Sequence, residues 1–115
     1  MTHRVVLTDR AHEQLEAGYR WWAENRSHTQ ADRWYNAFAD AIESLSSNPD
    51  RHGISGEKDR FPYEIRDLYF GIGRGRTHLA VFTIRGDMVL VLAVRHLAQR
   101  DLTPEDLESL TGANP

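Results

Sequence analysis

The chain has 115 residues, 14 Lys plus Arg against 17 Asp plus Glu, and no cysteine. That length holds one two-layer core and hence a single domain over 1–115, and a cysteine-free chain has no disulfides, thiolate zinc sites, iron–sulfur clusters or thiol nucleophile. The net charge of −3 is unevenly spread: residues 60–100 carry seven Arg against three acids, whereas 101–115 carry four acids and no base.

The first element is a short strand, Arg4–Leu7. A helix over about 9–25 follows, with Thr8 or Asp9 as N-cap and Ala11, Leu15, Tyr19 and Trp22 at helical spacing. Asn25-Arg26 breaks it, and Ser27-x-x-Gln30 is a capping box opening a second helix over about 28–47. Ala31, Trp34, Tyr35, Phe38, Ile42 and Leu45 form its apolar stripe, and Ser47-Asn48-Pro49 stops it. A break this short makes the two helices an antiparallel hairpin. Residues 50–62 read as loop. Strands are then expected at Ile65–Ile72, Arg76–Arg85 and Met88–His96, the last two joined by Gly86-Asp87 as a tight hairpin. A last short helix is expected near 104–111, with Pro104 at its first position. The order β-α-α-β-β-β-α predicts an α+β fold: a helical hairpin on one face of a four-stranded, mainly antiparallel sheet. The N-terminal strand must pair with the later ones, because alone it has nothing to bury. The longest apolar run, Met88–Val94, is too short to span a membrane, and the N-terminus lacks a signal-peptide core, so a cytoplasmic address is expected.

Thirteen of the fourteen bases are Arg, the residue suited to forked contacts with phosphate and carboxylate. If Arg85 faces Met88 without interruption, His78 lies opposite Arg95, with Arg76 on that face, and Thr77 lies opposite His96 on the other. A one-residue slip would exchange the faces. Either way Arg76, His78, Arg95 and His96 gather at the open end of the hairpin, and Arg66 enters on the neighbouring strand. Imidazoles could act as acid or base and guanidinium groups could stabilise a phosphorane, as cleavage of RNA by its 2′-hydroxyl requires. The nearby arginines predict that at least one of these histidines titrates below ~6.5. His3, His12, His28 and His52 lack metal-ligand spacing. No metal and no cofactor is assigned.

The strand, the helical hairpin ending in Ser47-Asn48-Pro49, Glu64-Ile65-Arg66-Asp67-Leu68, the hairpin Val81–His96 and Arg100-Asp101 together resemble the RelE/ParE toxin superfamily. These are toxins of type II toxin–antitoxin, or plasmid stabilization, modules. The resemblance covers roughly residues 4–107. It implies a cognate antitoxin, acidic and amphipathic, and growth inhibition by cleaving or binding mRNA on the ribosome, with inhibition of DNA gyrase as the alternative. A harmless binding module of the same fold is a third reading, and a homodimer is compatible with each. By position, Arg66 and Arg95-His96 match the family's basic residues; Arg66, Arg95, His96 and His78 are the candidate catalytic residues, with Arg76, His78 or Arg95 standing in for the family's arginine, and Arg76, Arg85 and Arg100 are the candidate substrate-binding residues. One departure stands out: where ribonuclease members carry Tyr-Arg after the glycine-rich turn, this chain has His78-Leu79. Leucine cannot contact phosphate.

Overall fold

The computed structural model describes residues 2–56, 59, 61–72 and 75–97. The helix expected near 104–111 and the site residue Arg100 lie outside them. The order is β1 (Arg4–Leu7), α1 (Asp9–Asn25), α2 (His28–Glu43), β2 (Arg66–Phe70), β3 (His78–Arg85) and β4 (Met88–His96). Thr8 caps α1 by accepting from the Ala11 N–H at 3.1 Å, and Ser27 caps α2 by accepting from Gln30 N–H at 3.1 Å. The second helix ends earlier than expected. Its last turn tightens at Ser44–Ser46, and Arg51 reaches back to the carbonyls of Ser47 and Asn48. Asn48 takes a left-handed conformation, φ 47°, to turn the chain into Pro49.

The sheet order is β1-β4-β3-β2. Pairs β2–β3 and β3–β4 are antiparallel, and β1 runs parallel to β4, Arg4 beside Met88 and Leu7 beside Val91. Both helices cover one face. Trp34, Phe38 and Ile42 of α2 and Ala11 and Leu15 of α1 pack on Leu68, Ala80, Phe82, Val89 and Val91. Full burial of each large side chain is worth about 1.5–3 kcal/mol, so this layer dominates stability. The helices approach closely because of Gly18. A methyl group there would lie 2.4 Å from the Trp34 ring.

The opposite face carries a smaller cluster, Ile65, Leu79 and Val81, with Phe61, Tyr63, Leu92, Ala93 and Leu97 against it. The expected uninterrupted register is corrected here. Arg85 does face Met88, and pairing continues to Phe82 beside Val91, but Val81 then pairs with Ala93. Leu92 is an extra residue, a two-against-one bulge. Beyond it His78 faces His96, not Arg95, and Leu79 faces Arg95. His78 and His96 therefore lie on the helix side, and Arg95 lies on the other. Among the described residues no helix is long and apolar enough to cross a membrane.

Candidate functional site

Alternation along the paired strands builds two rows across the open end of the sheet. On the helix side the row is Phe70, His78, His96. On the other it is Tyr69, Leu79, Arg95.

The histidine row is a core feature. His78 is only 3% exposed, its ring 5.1 Å from Trp34, 5.9 Å from Phe38 and 4.8 Å from His96. Phe70 stacks on Phe38 at 4.5 Å and closes the same box. His78 Nδ1 shares a 2.8 Å hydrogen bond with Thr77 Oγ1, while its buried Nε2 has no protein partner. Burial, and secondarily the facing His96, pushes the His78 pKa down to about 4. Burial also lowers that of half-buried His96. The direction agrees with the expectation from sequence, but the cause is desolvation, not neighbouring guanidinium groups. At neutral pH both imidazoles are uncharged.

Two of the arginines expected to do chemistry are committed to the fold or withdrawn from water. Arg66 donates to the Asp50 and His52 carbonyls at 3.2 and 2.5 Å and to Glu64 Oε1 at 2.9 Å. It ties the turn at Pro49–Arg51 to the edge of the sheet. Arg66→Ala should therefore cost about 1–3 kcal/mol, with the carbonyls left unpaired, whether or not nucleic acid is present. Urea unfolding measures this, and an unchanged midpoint would show the contacts to be idle. Arg95 is 6% exposed. Leu79, where the ribonuclease arginine would stand, is buried against Ile65 and Val81.

Of the residues expected to bind, Arg76 and Arg85 are displayed. Arg76 is exposed, its guanidinium 4.9 Å above the ring of Tyr69, which is 43% exposed and whose hydroxyl donates to Asp67 Oδ2 at 3.4 Å. Exposed Arg85 lies 4.6 Å over Tyr63. Both stacks are on the helix-free face, one at Tyr69 beside Leu79 and the other at Arg85, roughly 20 Å apart at ~3.3 Å per residue. Each is worth about 0.5–1 kcal/mol and holds the cation upright while leaving its N–H groups for an outside acceptor. Sequence reasoning missed the tyrosines. The signal was the alternation in Leu68-Tyr69-Phe70, which turns Tyr69 away from its buried neighbours. Among the described residues no cluster of three or more His, Asp or Glu could hold a metal ion.

A family model described as "ParE toxin of type II toxin-antitoxin system, parDE" matches residues 5–101. A solved structure described as "Chromosomal ParDE TA system from P. aeruginosa" superposes with a TM-score of 0.65 at 17% identity, covering 83% of this chain and 96% of that one. No curated protein matches the sequence. The solved structure shares the fold with its helical hairpin and four-stranded sheet. With the family model spanning nearly all of the described residues, the chain belongs to the ParE toxin family of type II toxin–antitoxin systems.

Proposed function

We propose that this chain arrests growth in the cytoplasm by gripping a protein target, DNA gyrase, and is neutralised by a cognate antitoxin. Messenger RNA is not cut. The observation that carries this reading is the separation of the basic residues. His78 and Arg95 are buried, Arg66 is bonded to the 50–52 turn, and Leu79 replaces the phosphate-contacting arginine. Metal-independent cleavage needs a base, an acid and a cation converging on one phosphate from solvent. Two arginine–tyrosine stacks roughly 20 Å apart fit an extended macromolecular surface better than one nucleotide, at ~3.3 Å per residue of strand. An acidic antitoxin segment complements the same arginines, and such complementarity speeds association.

The test is to induce the chain in cells and follow translation, mRNA ends and plasmid supercoiling together. Supercoiling should stop while mRNA ends stay unchanged, and Arg76→Ala combined with Arg85→Ala should raise the inhibitory concentration at least tenfold. New mRNA ends with normal supercoiling would replace this reading with the ribonuclease. Neither effect would leave a harmless binding module.

A further inference from the structure

β1 stops at Leu7, whereas β4 runs on to His96. Past Thr8, whose N–H still donates to Val91 O at 2.9 Å, the outer side of β4 has no strand beside it among the described residues. Side chains from α1 take over. The Thr8 hydroxyl, which also caps the helix, donates to the carbonyl of the bulged Leu92 at 3.1 Å. Gln14 Oε1 accepts from the Val94 N–H at 2.8 Å, inside the layer between helix and sheet. These two bonds hold the carbonyl of the extra residue and, two positions on, the amide of Val94. The bulge decides which face each following side chain meets: without it, Arg95 would stand opposite His78, against Trp34 and Phe38.

We propose that Thr8 and Gln14 are positioning residues for the helix-free face of the sheet, where exposed Tyr69 carries Arg76. By holding the bulge at Leu92, they place Arg95 beside Leu79 and Tyr69 and hold His96 beneath the helices. A helix side chain thus sets the presentation of a surface on the opposite face of the sheet. The inference rests on the gyrase reading only for its activity measurement.

The experiment compares Gln14→Met, which keeps length and loses the acceptor, with Gln14→Glu, which keeps an acceptor. Amide hydrogen exchange and cross-strand nuclear Overhauser contacts report the strand end, and inhibition of supercoiling reports function. In Gln14→Met the amides of Val94, Arg95 and His96 should exchange at least tenfold faster while those of Val89 and Val91 keep their protection. The Leu79–Arg95 contact should weaken, and the inhibitory concentration should rise about tenfold at a temperature where the chain remains folded. Gln14→Glu should recover both. Exchange that accelerates evenly over all four strands, or full inhibition despite a loosened strand end, would overturn the proposal. If the wild-type chain inhibits nothing, the gyrase reading fails. The exchange measurements then decide by themselves whether Gln14 holds the strand end.

Discussion

Acidification from pH 6.5 to 4 should remove roughly 3 kcal/mol of folding stability through one side chain, His78, at 1.36 kcal/mol per pH unit. An unfolded imidazole takes its proton near 6.5, whereas the folded one resists until about 4, because protonation would put a cation between Trp34, Phe38 and Phe70. Between those two values protons favour the unfolded chain. The contribution is therefore complete above pH 6.5, shrinks as the pH falls, and is gone below 4. His96 is the titratable group that faces His78, from β4, and its own lowered pKa acts in the same direction. Carboxylates add further losses in acid, so the comparison must be made against His78→Phe. Urea midpoints between pH 7 and 4.5 should fall steeply for the wild type and less for the variant. Superimposable pH profiles would show that His78 does not stay neutral in the folded chain.

Trp34→Ala should cost about 3–5 kcal/mol, a fifth or more of the ~5–15 kcal/mol that a small domain possesses. Trp34 is fully buried, touches Phe38 and His78, and fills the space that Gly18 leaves against α1. The glycine supplies a sharper test. In an ordinary helix Gly→Ala gains about 1 kcal/mol. Here the new methyl would meet the indole at 2.4 Å, so Gly18→Ala should instead cost about 1–3 kcal/mol by overpacking. In a Trp34→Leu background the clash disappears and the same substitution should become neutral or stabilising. A double-mutant cycle measured by chemical denaturation reads this directly. Stabilisation by Gly18→Ala in the wild-type background would mean that the two helices are not held at this separation.

Much of the fold was legible because the relevant signals are local. Trp34, Phe38 and Ile42 recur every four residues, Thr8 and Ser27 precede helices, and Gly86-Asp87 separates two runs that read as strands. The end of α2 was less legible, since Ser44-Leu45-Ser46 continues the apolar spacing while its backbone already tightens. The bulge was invisible. Met88–Val94 is uniformly apolar, so period-two alternation has no phase there and nothing marks Leu92 as supernumerary. That single residue reversed the faces assigned to Arg95 and His96. Candidate site residues could be named as bases from the sequence, but their accessibility could not. His78 is buried by rings some forty positions earlier in the chain, and Arg66 is held by carbonyls of a turn that the sequence reads only as loop.

The parallel pairing of β1 with β4 constrains the order in which this molecule can be assembled. Arg4 lies beside Met88, so the first strand emerging during synthesis must wait for the last described one before it finds its neighbour. The α1–α2 hairpin, by contrast, is a local structure that can form early. Until β4 arrives, the helices lack Val89 and Val91, and both arginine–tyrosine stacks lack the finished sheet behind them. A nascent chain is thus unarmed for most of its translation, and its surface is completed in one late, long-range closure. That delay leaves an interval in which a partner already present could meet the newly closed surface first.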